Sequence, residues 1–266
     1  MKLTDIITKD VPLLNKNRPL LDAIDSLNKQ DVEAIGISDD TKPIGTLSHY
    51  DILFRIGAQR LRAVDPASLY ISGFVRDFPA SLSNDTSVRK AAKLMVELST
   101  QAMPMMYGET FLGLVYRRSM LQLVQNSSAE ISTIMKRNFP LIRSHDRIIQ
   151  ARRLLLENGV SIIPVVNEEN RLMGILTQKE VLNSLIEFQK YVPEKNQKAR
   201  IRQLSVSSAM KAGAKTVEGS LTIGQAAQMM CKDGLTGLVV AESSKIMGVV
   251  SSTEMLEYIV GSFQEQ

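Results

Sequence analysis

The chain has no tryptophan, one cysteine, two histidines and aromatic residues at only 5% of its 266 positions. A single thiol, Cys231, forms no internal disulfide, and with His49 and His145 it supplies too few soft ligands for a structural zinc site. Aromatic poverty argues against a carbohydrate-stacking surface and an aromatic platform for single-stranded nucleic acid. No run of about 18 apolar residues occurs, and the opening MKLTDIITKD lacks the apolar stretch of a signal peptide. A soluble, cytoplasmic protein without a membrane partner is therefore expected. Charge of one sign is also scarce: 32 Lys and Arg against 28 Asp and Glu leave +4, weak support for nucleic acid as a partner. Apolar residues are plentiful at 44%, which at this length predicts one large domain or two modest ones with real cores, and not disorder.

Self-similarity organises those apolar residues. Four segments each read as an amphipathic helix, a short apolar strand, a polar turn, a second apolar strand with one glycine, and a second helix. In the first helix apolar residues recur at i, i+3, i+4 and i+7, as Leu20, Ala23, Ile24, Leu27, then Val88, Ala91, Ala92, Met95, and finally Ile223, Ala226, Ala227, Met230. The third copy keeps Ile148, Ala151 and Leu155 but carries Arg152 at the i+4 place. From helix alanine to strand glycine the separation is 22 for Ala23 to Gly45, Ala91 to Gly113 and Ala226 to Gly248, and 23 for Ala151 to Gly174.

The first strand is clearest as SIIPVVN from Ser161 and QAMPMMY from Gln101, where Pro164 and Pro104 suit a strand's beginning or edge. Polar turns follow at Asp39, Tyr107, Asn167 and Glu242, and then the second strands PIGTLS, FLGLVY, LMGILT and IMGVVS. Each copy spans roughly 55 to 60 residues with a lead-in such as Phe139 to Ile142, too little to bury a core alone, so the copies are expected to pair. Connectors are expected at Gly57 to Gly73 and at Phe188 to Ser205, the latter bearing Lys190, Lys195, Lys198, Arg200 and Arg202.

The segment from Ser144 to Leu185, containing HDRIIQARRLLLENGVSIIPVVNEENRLMGILTQKEVL, resembles a cystathionine β-synthase (CBS) domain, and the other copies resemble divergent members, the second least. The resemblance implies an α/β (α+β) fold of four β-α-β-β-α repeats, paired through their sheets into two pseudo-twofold Bateman modules. These would be 1–125, with repeats 1–60 and 69–125, and 126–266, with repeats 131–187 and 205–261. It implies an adenine nucleotide, AMP, ADP or ATP, held in clefts between paired copies to regulate another protein, with no catalytic residue or catalytic cofactor and homodimerisation left open.

The family's nucleotide signature is a glycine in the second strand, Ser or Thr three residues on, and Asp three further. This chain has Gly45, Ser48 and Asp51, then Gly174, Thr177 and Glu180, then Gly248, Ser251 and Glu254. The second copy departs, with Gly113, Tyr116 and Ser119 and with Arg117 and Arg118 between them, which puts its own ribose site in doubt.

The pattern has a physical reading of its own. A hydroxyl where a strand enters a helix lies beside free N–H groups that attract a phosphate. A carboxylate one turn on accepts hydrogen bonds from the 2′ and 3′ hydroxyls of a ribose. Glycine lets the ligand approach the strand, and Gly36, Ile37, Ile44, Val165 and Met173 are expected to wall a purine. Ser or Thr followed three residues later by Asp or Glu is equally a capping box, and both readings predict the same residues.

Phosphate contacts are less defined, because the places just before the first strands, such as Glu33 and Gln101, hold no cation. Arg117 and Arg118 are candidates for a phosphate held by the first copy, and Lys136 and Arg137 for one near the third. His49 reads as a phosphate contact or a surface residue, Cys231 as packing, and Met103, Met105 and Met106 as core. The rival to a nucleotide sensor is a scaffold or nucleic-acid-associated protein using the basic connector, and an enzyme ranks third because no nucleophile, base and oxyanion site assemble in one region.

Overall fold

The computed structural model describes residues 1–56, 64–243 and 245–263. The expected connector from Gly57 lies outside the described residues at 57–63, as do Ser244 in the fourth polar turn and the side chain of Lys198.

The first copy opens with a 3-10 turn at Leu3–Asp5, then β1 (Leu13–Asn15), α1 (Leu20–Gln30), β2 (Ala34–Asp39), β3 (Lys42–Ser48) and α2 (His49–Ile56). The second has a 3-10 turn at Ile71–Gly73, β4 (Arg76–Asp77), α3 (Val88–Glu97), β5 (Ala102–Tyr107), β6 (Thr110–Tyr116) and a short α4 (Arg117–Met120). The third has a 3-10 turn at Ile131–Thr133, β7 (Ile142–Arg143), α5 (Ile148–Glu157), β8 (Ile162–Val166), β9 (Leu172–Thr177), α6 (Gln178–Tyr191) and α7 (Glu194–Arg200). The fourth has a 3-10 turn at Val206–Ser208, β10 (Lys211–Ala212), β11 (Thr216–Val217), α8 (Ile223–Lys232), β12 (Gly237–Glu242), β13 (Lys245–Ser251) and α9 (Ser252–Ser262). The expected α/β fold of four repeats is present, and the connector at Phe188 to Ser205 is largely helical.

The apolar stripes of α1, α3, α5 and α8 are buried as their period requires. The exception, Arg152, donates from Nε to the Leu53 carbonyl (2.9 Å) and from Nη2 to the Phe54 carbonyl (2.8 Å). It thereby binds two main-chain carbonyls in the last turn of α2 and ties copy three to copy one. The hairpins β2/β3, β5/β6, β8/β9 and β12/β13 are antiparallel, and each shifts register at the same place, after Ile37, Met105, Val165 and Val240. Pro164 lies inside β8, an inner strand, one residue before its parallel pairing with β7 begins at Val165.

The lead-ins are exchanged between neighbours. β4, from the second copy's lead-in, pairs with β3 of the first (Gly45 opposite Asp77, Thr46 opposite Arg76), and Thr8 of the first bridges Leu114 of the second. Likewise β10 of the fourth copy pairs with β9 of the third, and Lys136 of the third bridges Val249 of the fourth. This exchange accounts for the repeated glycine. A Cβ on Gly45 would strike the Arg76 carbonyl, one on Gly113 the Thr8 carbonyl and one on Gly174 the Lys211 carbonyl (2.5 Å), whereas one on Gly248 would first meet the Met135 side chain (2.9 Å) and then the Lys136 carbonyl (3.1 Å). The expectation that glycine makes room for a ligand is corrected: at three of the four positions it makes room for the neighbour's main chain, and at Gly248 chiefly for a neighbouring methionine.

Two kinds of seam join the copies. Sheet residues Ala34, Ala102, Leu114 and Tyr116, with Phe78 stacked on Phe111, join copies one and two, and Ile162, Val239 and Val249 join three and four. Larger apolar clusters run across helices, joining copy one to three through residues such as Leu53, Ile56, Leu182 and Leu185, and two to four through Met95, Leu121, Met255 and Ile259. Among the described residues no helix is long and apolar enough to cross a membrane.

Candidate functional site

The three Ser/Thr-to-acid turns form capping boxes. Asp51 Oδ2 accepts from the Ser48 N–H (2.9 Å) and from Ser48 Oγ (2.5 Å), and Glu254 Oε2 accepts from the Ser251 N–H (2.7 Å) and Oγ (2.6 Å). Glu180 Oε2 accepts from the Thr177 N–H (3.0 Å) and from its hydroxyl. One oxygen of each acid is thus tied to the main chain at the turn, and a cap and a ligand contact need not compete because a carboxylate has two oxygens.

Copy one leaves the second oxygen best placed. Asp51 Oδ1 faces Arg76 Nη1 at 3.7 Å, and both line a cavity of about 240 Å³ with Tyr50, Phe54, Arg55 and Phe74. Tyr50 stacks on Phe54, which is 58% exposed and offers a flat apolar surface. Burial pushes the Asp51 carboxyl above the usual aspartate range, opposed by the Ser48 hydroxyl, the Arg76 charge and the Ser48 N–H. Arg76 is held by the carbonyls of Ser99 (3.0 Å) and Leu98.

Arg76 was not legible as a site residue, although a signal exists. It is the sixth residue counted from Ile71, as Lys136 is from Ile131 and Lys211 from Val206, so three lead-ins bring a cation across the glycine of a neighbouring copy. The first lead-in, counted from Leu3, brings Thr8.

In copy three, Thr177, Lys179, Glu180 and Lys211 line a central cavity of about 120 Å³, shared with Asp31, Glu33 and His49 of copy one, Arg118 of copy two and Ser252 of copy four. Asp31, in the left-handed region at φ 50°, accepts from Lys179 Nζ at 3.1 Å and lies 3.6 Å from Arg118 Nη1. His49 is buried, with Nε2 3.2 Å from Asn28 Oδ1. Burial first, then the Lys179 charge, lowers its pKa to about 4, so it is neutral at pH 7.

In copy four Glu254 is only 8% exposed. Lys136 runs along β13 of this copy, which corrects its expected place beside the third, and exposed Arg137 donates to the Ser132 carbonyl (3.0 Å).

Other expected contacts are also corrected. Ile37 and Val165 are fully buried in the core shared by copies one and three and cannot wall a purine. Gly36 is covered, since a Cβ there would meet Leu13 at 2.5 Å. Ile44 is half-buried, and Met173 is 41% exposed. Arg117, 4% exposed, donates to the carbonyls of Thr100 (2.6 Å) and Met95 (2.6 Å) and to Thr253 Oγ1 (2.9 Å). It ties copy two to copy four and is not available to a phosphate.

Copy two lacks a cap of its own. Tyr116 makes no side-chain bond at the start of α4, and Glu33 reaches over from copy one to accept the Arg118 N–H (2.8 Å).

A family model for the CBS domain matches residues 3–58, 131–187 and 206–261, more than half of the chain. An uncharacterized 33.4 kDa protein in a ribosomal RNA operon of Thermofilum pendens is 24% identical over 259 residues, 89% of this chain and 84% of its own length. An inosine-5′-monophosphate dehydrogenase of Korarchaeum cryptofilum is 28% identical over 120 residues, 45% of this chain and 24% of the enzyme. Among solved structures, a proposed archaeal homologue of γ-AMPK from Methanocaldococcus jannaschii matches with TM-score 0.82 at 15% identity, covering 97% of this chain and 100% of that one. An uncharacterized conserved protein from Pyrococcus horikoshii matches with TM-score 0.64 at 15% identity, covering 98% and 100%. At such identities the likeness is one of fold.

Proposed function

Since the chain belongs to the CBS-domain family, we propose that it is a non-enzymatic regulatory protein of the cytoplasm that binds an adenine nucleotide in clefts between paired copies. The pairs are taken as 1–125 and 126–266, the units within which lead-ins are exchanged. The observation that carries this reading is the meeting of Asp51 Oδ1 with Arg76 from the neighbouring copy, beside the exposed ring of Phe54. A carboxylate suits a vicinal diol, a guanidinium suits a phosphate and an aromatic face suits a purine. Glu180 and Lys211 line one cavity in copy three, and in copy four Lys136 bridges Val249 of the strand that leads into the Ser251–Glu254 turn.

Because acid and cation come from different copies, an occupied cleft clamps the two together. A ligand shifts a conformational equilibrium only through its differential affinity for the two states, and a clamp across copies supplies that difference. The occupied form would then present a different face to the regulated protein. AMP, ADP and ATP remain the ligands to be compared.

The test is calorimetry and thermal denaturation of the full chain with each nucleotide. Ligand at a hundred times its Kd is expected to add about 2.7 kcal/mol of stability. Asp51→Ala is expected to weaken binding about tenfold to a hundredfold, the loss of one or two charge-assisted hydrogen bonds. Arg76→Met is expected to weaken AMP more than adenosine. Absence of both heat and melting shift at millimolar nucleotide would overturn the reading.

A further inference from the structure

The helix seams carry cavities of their own, away from the sheet clefts. Between copies one and three a cavity of about 450 Å³ opens where the end of α2 meets α5 and α6. Ile56, Leu185 and Ile201 line it together with Arg147, Arg152 and Arg153, and no acid is in the lining. Ile56 and Leu185 are buried and form the floor, whereas Arg147, Ile149 and Arg153 are exposed and form the rim.

Nothing in the repeat demands those cations. Opposite Arg147, Arg152 and Arg153 the other copies place Pro19, Ile24 and Asp25, then Ser87, Ala92 and Lys93, then Thr222, Ala227 and Gln228, with Lys93 alone a cation. The seam between copies two and four also has a cavity, about 470 Å³, and its lining, Leu123, Tyr258 and Phe263 among others, holds no charged residue. Arg152 has a structural task, since it holds the carbonyls of Leu53 and Phe54. Arg147 and Arg153 lack a comparable one. Among the described residues the Arg147 guanidinium makes no hydrogen bond or ion pair. Arg153 has Glu157 at 3.6 Å, a pair 65% and 64% exposed and therefore weak.

The start of α5 adds to this charge. Its N-cap, Arg147, provides no side-chain cap where Ser87 and Thr222 cap α3 and α8, so the positive end of the helix is left uncovered. Guanidinium groups gathered around an apolar floor repel one another, and a partner that brings carboxylates relieves the repulsion.

We propose that this cavity docks the regulated protein through an acidic segment in which an apolar side chain is flanked by carboxylates. The apolar side chain enters between Ile56, Leu185 and Ile201, and the carboxylates pair with Arg147 and Arg153. The proposal rests on reading the chain as a regulatory protein and names the chemistry of its partner.

The experiment is fluorescence anisotropy of the full chain with a labelled peptide in which a leucine is flanked by glutamates, in low salt. Arg147→Gln with Arg153→Gln is expected to weaken binding at least about tenfold. Lys90→Gln with Lys93→Gln removes equal charge from the exposed face of α3 and is expected to change the affinity less than about twofold. Both double variants should melt as the native chain does, because these side chains are exposed. Serine in place of the peptide's leucine is expected to weaken binding at least about fivefold, and glutamine in place of its glutamates to abolish it. A single-stranded RNA of equal charge has no aliphatic side chain for the floor and is expected to bind at least about fivefold more weakly. Absence of binding at millimolar peptide, equal losses in the two double variants, equal binding of the serine peptide, or RNA binding as tight as the peptide's would each overturn the proposal. AMP calorimetry on the native chain judges the nucleotide clefts separately, since neither Arg147 nor Arg153 lines them.

Discussion

Copies one and two lie side by side and keep the same scaffold while differing in every group that would meet a ligand. Both keep the glycine crossed by a neighbour's carbonyl. Both keep a buried polar residue directly after the strand, His49 in one and Arg117 in the other, at the helix seam with copies three and four. Where copy one has Ser48, Asp51 and Arg76, copy two is served by Tyr116, Ser119 and Thr8, and the cap is supplied from outside by Glu33. The difference separates two demands that a single copy confounds. Crossing lead-ins and helix seams are common to both copies, and the residues facing the cavities differ between them.

The largest effect that can break this comparison is at the glycines. Gly45→Ala places a methyl where the Arg76 carbonyl lies and is expected to cost about 3 kcal/mol. Gly113→Ala meets the Thr8 carbonyl and also requires an alanine at φ +147°, so it is expected to cost about 1 kcal/mol more. Gly73→Ala, with open space around it, is the control and should change stability by less than about 0.5 kcal/mol in urea melts. A cost below about 1 kcal/mol at Gly45 would return that glycine to the role of ligand neighbour.

Next in size are the seam residues, whose chemistry differs between the two copies. Arg117→Met strands the carbonyls of Thr100 and Met95, and about 2–4 kcal/mol of destabilisation is expected, with little pH dependence from pH 4 to 8. His49 should instead make stability depend on pH. Its pKa is about 4 folded against about 6.5 unfolded, so between these values the unfolded chain binds more protons. Its contribution is complete above pH 6.5 and is lost as pH falls toward 4, by up to about 3 kcal/mol. Comparing urea midpoints across that range for the native chain and His49→Gln checks the sign, because the variant should lose this part of the slope.

The repeat itself was legible because each stripe and each alanine-to-glycine spacing is local and recurs. The capping acids were legible for the same reason, and the structure adds that the cap uses one carboxylate oxygen. What escaped was non-local. A lead-in such as Val75–Arg76–Asp77 pairs with a strand some 30 residues earlier, and one residue in common among short segments gives little to read. Ile37 and Val165 sit in near-continuous apolar strands, where no alternation tells the helix-facing side from the cleft. Glu33 reads as an acid before a strand, and only the folded chain brings it to the start of α4 in another copy.

The smallest effect on stability sharpens the contrast in ligand chemistry. Asp31 holds Lys179 and Arg118 through contacts of 3.1 and 3.6 Å, yet its side chain is more than half exposed, and such pairs contribute about 0–1 kcal/mol. Asp31→Asn should therefore lower stability by less than about 1 kcal/mol, and the difference should shrink at 1 M salt, where charges are screened within about 3 Å. Its effect on binding should be larger in relative terms and selective. With the carboxylate neutralised, Lys179 and Arg118 face one acid fewer in the central cavity, leaving Glu33 and Glu180, and AMP affinity at the copy-three cleft is expected to rise severalfold. Adenosine has no phosphate to gain from those cations, and its affinity should change less than about twofold. Equal gains for both ligands would mean that these cations do not meet a phosphate, and the comparison between copies one and two would then rest on scaffold alone.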